Sequence, residues 1–114
     1  METRVSLFID KNQTSFMTED LKGFLDCIIV GSNNKVDILI ESALGYLILK
    51  DKDIIGVEHF CPRERTQAPE MSQFDYPGLD KFLLNEPVII TVTGQKNTTV
   101  ELLFRLEDVY EKPV

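Results

Sequence analysis

The stretch near residue 100 alternates between apolar and polar side chains, and it constrains the fold more than any other feature of the sequence. One set of every-second residues is apolar and consists of Val100, Leu102, Phe104 and Leu106. The intervening positions include the charged residues Glu101, Arg105 and Glu107. Because successive side chains of a strand point to opposite faces, this period of two predicts a strand over 99–107 with one face in a core and the other in water.

Five further segments carry strand patterns, namely 4–9, 36–41, 46–49, 54–60 and 88–93. Turn residues stand between several of them, at 43–45, 51–53 and 94–97. We therefore expect three hairpins and mainly antiparallel pairing. The unbroken apolar run over 46–49 is typical of a strand buried on both faces.

A helix is predicted over 18–31, after a polar connector at 10–17. Thr18 has the hydroxyl of an N-cap residue, and Gly31 is suited to the C-terminal end. Four apolar residues follow the spacing i, i+3, i+4, i+7 of one helical face: Leu21, Phe24, Leu25 and Ile28. The β-branched tail at 28–30 fits a short strand as an alternative.

The segment 61–87 interrupts the strand pattern and holds four of the five prolines. It is predicted to be a long connection with a short helix over 77–84, whose Leu79, Phe82 and Leu83 point inward. With 114 residues, the chain is predicted to form a single domain over 1–114. The expected fold class is α+β, with one N-terminal helix packed on an antiparallel sheet of five or six strands that curls into a small barrel.

The net charge of −7 narrows the classes of partner. An acidic surface repels nucleic-acid phosphates and anionic membranes, so a protein partner, and a basic one in particular, is favoured. No apolar run is long enough for a transmembrane helix and the N-terminus does not resemble a secretory signal, so we expect a cytoplasmic protein. No cofactor is expected, because the sequence contains no glycine-rich phosphate loop.

The most specific functional hypothesis concerns the proline-rich segment 61–87. It contains residue types that are enriched at protein interfaces: Arg63, Arg65, Met71, Phe74 and Tyr76. The sequence therefore predicts a non-catalytic interaction module, such as an adaptor, an inhibitor or immunity-type protein, or an assembly component. Self-association through a sheet edge or through this segment is a related expectation. A binder of small ligands or single-stranded nucleic acid, stacking them on Tyr46, Phe74 or Tyr76, is an alternative.

A second alternative is a small thiol-dependent enzyme. His59 and Cys61 are two residues apart, which places them on one face of a strand, with Glu58 or Glu64 in support. No metal is expected, because His59, Cys61 and Cys27 are too few for a four-ligand Cys/His site. Cys27 lies in an apolar run and is predicted to be a buried thiol, although a bridge to Cys61 stays open.

Overall fold

The structure is a computed structural model that describes residues 1–66 and 78–108, and most of these residues lie in β-strands. The nine strands are β1 (Glu2–Ile9), β2 (Gln13–Met17), β3 (Leu21–Ser42), β4 (Leu47–Phe60), β5 (Arg63–Thr66), β6 (Gly78–Lys81), β7 (Leu83–Glu86), β8 (Val88–Gly94) and β9 (Thr98–Glu107). No helix occurs within these two ranges. The described fold is therefore all-β, and the α+β prediction with its N-terminal helix is wrong.

The 22-residue strand β3 is the centre of a seven-stranded antiparallel sheet. One of its edges pairs with β7 over 21–24 and with β4 over 28–41. Its other edge pairs with β9 over 24–32 and with β8 over 36–42. β1 then pairs with β9, and β2 pairs with β8, while β5 and β6 form a separate two-stranded sheet.

The sheet bends along a line that crosses all its long strands. On β3 the register against β4 jumps from Ser32, opposite Gly56, to Val36, opposite Ile54. At the same level β1 gives way to β2 and β9 gives way to β8. Because an extra residue in one strand bends that strand, the sheet folds over on itself into a nearly closed barrel. Buried side chains from both halves meet in one core cluster.

Polar side chains replace the missing ladder hydrogen bonds at this bend. The amide of Asn34 donates to Thr98 Oγ1 at 3.3 Å, and Asn33 Oδ1 accepts from the backbone N–H of Thr99 at 3.1 Å. Asp37 Oδ1 accepts from the N–H of Asp53, a residue with a φ of 56°. The asparagines in the loop-like stretch 33–34 therefore stabilise a corner within one continuous strand.

A bulge explains why the helix predicted over 18–31 is wrong. Leu25 pairs with Leu106 and Cys27 with Arg105, so Asp26 is an extra residue on β3. Leu21 and Leu25 share a strand face, and the extra residue returns Ile28 to that same face, where all three are buried. A bulged strand thus reproduces the i, i+4, i+7 spacing of a helix.

Thr18 acts between strands and does not cap a helix. Its hydroxyl donates to the carbonyl of Glu19 at 2.7 Å and accepts the N–H of Val88 at 3.0 Å. Its own N–H donates to the carbonyl of Val88. The buried threonine therefore fixes the link from β2 to β3 against the start of β8.

The predicted hairpins are correct in part. The turn at 43–45 joins β3 to β4, and the alternation over 99–107 holds, with Val100, Leu102, Phe104 and Leu106 buried. Residues 51–53, however, lie inside the continuous strand β4. Residues 94–97 join two strands that lie end to end along β3 and do not pair with each other.

Three smaller predictions also fail. The polar connector at 10–17 contains β2, whose partner β8 supplies the ladder. The short helix predicted over 77–84 is replaced in its described part by β6 and β7, with Phe82 buried and Leu83 exposed. The run 46–49 is not buried on both faces, because Leu47 is 53% exposed.

Substitution of Gly23 tests how closely the backbones of β3 and β9 approach each other at this position. Its φ is +123°, and a Cβ atom at this position would collide with the carbonyl oxygen of Glu107 on β9. We expect Gly23→Ala to lower the free energy of unfolding by about 3 kcal/mol or more, through backbone strain and the clash. Gly45→Ala is the matched control, because its φ is +102° with no atom within 4 Å, so about 1–2 kcal/mol is expected. Equal losses in urea unfolding of the two variants would contradict the steric role of Glu107.

Candidate functional site

The described ends of the segment 61–87 form one wall of an open groove. β5 and β6 pair antiparallel, with Arg63 opposite Lys81. Two depressions of about 640 Å³ and 530 Å³ adjoin along this hairpin and share Arg63, Glu64 and Leu83 in their walls. The remaining lining residues are Phe24, Tyr46, Leu47, Asp80, Lys81, Phe82 and Glu107.

Asp26 connects the hairpin to the main sheet. Its carboxylate lies 3.2 Å from Lys81 Nζ and 3.8 Å from Arg63 Nη2. Its carbonyl oxygen accepts a hydrogen bond from Arg63 Nη1 at 3.0 Å, and that same nitrogen donates to the carbonyl of Pro62. A side chain and a carbonyl of β3 thus anchor both strands of the small sheet.

Lys81 also contacts β9. Its Nζ donates to Glu107 Oε1 at 2.6 Å, and the hydrogen bonds to Glu107 and Asp26 raise the pKa of the lysine above its ordinary value of 10.5. The contact keeps the cation charged and pairs it with two carboxylates. The base of the hairpin is therefore linked to both neighbouring strands of the sheet.

A hydrogen-bond network around the Glu86 carboxylate lies behind the part of the groove that Tyr46 lines. Glu86 Oε2 accepts hydrogen bonds from Ser42 Oγ at 2.8 Å and from the Tyr46 hydroxyl at 2.9 Å. Glu86 Oε1 accepts the backbone N–H of Asn85. The ring of Tyr46 stacks on Phe82 with centroids 5.9 Å apart. The network thus fixes the turn between β3 and β4 against the end of β7.

These hydrogen bonds shift two pKa values in opposite directions. Burial alone would raise the pKa of Glu86, but the bonds from Asn85, Ser42 and Tyr46 outweigh burial and lower it. Burial raises the pKa of Tyr46, and the hydrogen bond to Glu86 raises it further. A charged Glu86 and a neutral Tyr46 are therefore the favoured forms.

The groove combines exposed leucines with excess negative charge. Leu47 is 53% exposed and Leu83 is 49% exposed. Four carboxylates, those of Asp26, Glu64, Asp80 and Glu107, lie in or under the groove beside two cations, Arg63 and Lys81. Among the described residues, the carboxylates of the groove therefore outnumber its cations, and the groove is net negative. Among the described residues, no cation pairs with Glu64 or Asp80.

Of the five predicted interface residues, Arg63 is the one whose side chain the structure describes. Arg63 lines the groove in β5. Arg65 is also in β5, but its side chain lies outside the described part of the chain, as do Met71, Phe74 and Tyr76. The docking role of these residues stays a prediction, while the groove adds Leu83 and other residues that sequence reasoning missed.

The predicted thiol pair has no described catalytic arrangement. His59 lies near the end of β4 and Cys61 follows that strand, and both are exposed. No hydrogen bond between the two side chains occurs in the described part. Cys27 is a buried free thiol, as predicted, and burial followed by the charge of Asp26 raises its pKa.

No family model matches this chain, and neither a curated protein nor a solved structure does. In residues 1–66 and 78–108, no helix is long and apolar enough to cross a membrane. The same ranges contain no group of three or more His, Cys, Asp or Glu side chains arranged to hold a metal ion. The function of the chain has therefore to be inferred from its own residues.

The Glu86 network predicts a specific loss of stability in acid. Because the folded-state pKa of Glu86 lies below its ordinary value of 4.5, its contribution is present above that pH and is lost as the pH falls through the folded-state pKa. We expect Glu86→Gln to lower the free energy of unfolding by about 1–2 kcal/mol near pH 7, since a neutral amide replaces a charged acceptor.

Urea unfolding of the wild type and Glu86→Gln over a range of acidic pH measures this effect. The difference between the two proteins should shrink as the pH falls. Glu58→Gln is the control, because Glu58 is exposed on β4. A difference that is constant with pH would contradict the assignment of the charge to Glu86.

Proposed function

We propose that this chain is a non-catalytic protein-interaction module that docks its partner through the segment 61–87 and the groove at the base of that segment. The observation that carries the proposal is the groove itself, which is open, net negative and lined by two exposed leucines. It adjoins the part of the chain that is richest in interface-type residues.

The apolar content of the groove supports a protein ligand. Leu47 and Leu83 expose about half of their surface, and Phe24 lies in the same walls. Exposed apolar surface that is rimmed by charged groups is typical of binding sites, because docking removes it from water. A partner side chain that covers these leucines would supply the apolar part of the binding energy.

The charge of the groove favours a basic segment. Arg63 and Lys81 are held by Asp26 and Glu107, so the remaining carboxylates, Glu64 and Asp80, face solvent at the rim. A partner with lysine or arginine next to apolar residues would complement both features. The overall charge of −7 would speed the encounter with such a partner.

The ion pairs of Asp26 order the groove in the unbound chain. They tie β5 and β6 to β3 before any partner arrives. A surface that is already ordered loses less conformational entropy on association, which strengthens binding. Arg63 therefore supports the site as well as lining it, and its replacement would disturb both docking and folding.

The test compares the substitution of a leucine in the groove with that of an exposed leucine outside it. Wild-type chain captures a partner from extract of its native source, and the affinity of the purified partner is then measured for Leu83→Glu and Leu44→Glu. We expect Leu83→Glu to weaken binding at least about tenfold, because it places a charge among apolar contacts. Leu44 is 77% exposed in the turn between β3 and β4, outside the groove, so Leu44→Glu should bind like wild type.

A charge reversal completes the test. Glu64→Lys is expected to weaken the binding of a basic partner and to reduce its dependence on salt, whereas Glu58→Lys on β4 should have little effect. Circular dichroism verifies that all four variants are folded. Binding that is unchanged in both Leu83→Glu and Glu64→Lys would refute docking at the groove, and sedimentation of the chain alone would then test self-association.

A further inference from the structure

Cys27 and Cys61 flank the last residue pair of the ladder between β3 and β4. The ladder between β3 and β4 includes the pair Ile28 and Phe60 at its end. One residue beyond this pair lie Cys27, which is still in β3, and Cys61, which directly follows the end of β4, so continuing the register by one residue would set the two cysteines opposite each other. Directly opposed residues of antiparallel strands have Cα atoms about 4.5–5.5 Å apart, which is within the range of about 4.4–6.8 Å that a disulfide spans.

The alternation of side chains along the two strands bears on the direction of both thiols. Each cysteine is one residue from the paired Ile28 and Phe60, and strand alternation continued by that one residue would place both thiols on the side opposite those two residues. Both are free thiols. Burial and the charge of Asp26 raise the pKa of Cys27, and the charge of Cys61 is a smaller cause that acts in the same direction.

We propose that Cys27 and Cys61 form a reversible disulfide. The oxidant is a low-molecular-weight disulfide of the glutathione class. The bond would close the loop over residues 27–61 and join the two strands at the point where their ladder ends.

The difference in exposure assigns an order to the exchange. Cys61 is exposed, so its sulfur attacks one sulfur of glutathione disulfide and releases one glutathione. The buried Cys27 then attacks the Cys61 sulfur of the mixed disulfide and releases the second glutathione. The two cysteines lose two electrons and two protons in total, and the two glutathione molecules gain them.

The position of the bond gives it a consequence for the base of the groove. Cys27 follows Asp26, and Cys61 precedes Pro62 and Arg63, whose guanidinium donates to Asp26. The disulfide would covalently hold the start of β5 against β3 beside this contact. The inference itself is independent of the proposed function, because it concerns only the two thiols and their register.

Mass spectrometry of the purified chain tests the bond directly. After incubation with glutathione disulfide, the intact mass should fall by about 2 Da relative to the reduced chain, since two hydrogens are lost. Trypsin digestion without reductant should then yield peptide 23–35 linked to peptide 53–63, because cleavage follows Lys22, Lys35, Lys52 and Arg63. The midpoint of thermal unfolding should rise by about 10 °C and return when a dithiol is added.

Cys61→Ser is the control variant, because position 61 is exposed and its replacement leaves the core intact. It should show neither the linked peptides nor the thermal shift. A stable glutathione adduct on Cys61 of the wild-type chain, without ring closure, would overturn the proposal. A dimer linked through Cys61 of two chains would overturn it as well.

Discussion

The backbone hydrogen bonding of β3 is the constraint on which the rest of the sheet depends. Both edges of this strand are occupied along nearly its whole length, by β7 and β4 on one side and by β9 and β8 on the other. Within the described residues, β1 pairs with β9 and β2 pairs with β8, so neither of them pairs with β3 directly. A strand this long cannot stay flat around a small core, and the stretch 33–35, where the ladders are interrupted, lets it turn the corner between its two sets of partners.

The second irregularity of β3 also produces the candidate site. Asp26 is the additional residue of the bulge opposite Arg105, and its carbonyl oxygen and its carboxylate both accept contacts from Arg63. In a regular strand, residue 26 would take its place in the ladder with β9. The bulge instead provides the anchor for the hairpin of β5 and β6. One local departure from regular geometry thus connects the fold to the surface where we place the function.

The sequence predicted those parts of the structure that depend on neighbours along the chain. The alternation around Val100 needs only a strand and a core, and it was read correctly. The spacing of Leu21, Leu25 and Ile28 predicts a helix that the structure does not contain, because a bulged strand and a helix give similar intervals. The prediction of strands at 88–93 and 99–107 is correct, but the prediction that they pair with each other is wrong. Both pair with β3 at successive positions along its length, which places them end to end.

In the candidate site, too, the sequence indicates single residues but not the contacts between distant parts of the chain. Arg63 was singled out by its residue type and its setting among prolines. Its partner Asp26 is 37 residues away and lay in the segment that was predicted to be helical. No spacing rule connects two such positions, because their contact arises from the register of the sheet. Leu83 was expected to point inward because 77–84 was read as a helix, and its exposure follows from the two short strands that replace that helix.

The pairing of β1 with β9 has a consequence for the order of folding. The backbone of Met1 exchanges hydrogen bonds with that of Leu106, so the first strand completes its ladder with the last. When β3 leaves the ribosome, its partners in 88–107 have not been made, and at ordinary elongation rates they follow about 3 to 13 s later. During that interval β3 and β4 can form their hairpin, but one edge of β3 and the apolar face of β1 stay exposed. The nascent chain therefore carries an unpaired strand edge until β8 and β9 are made, and the closure of the sheet is a late, long-range event.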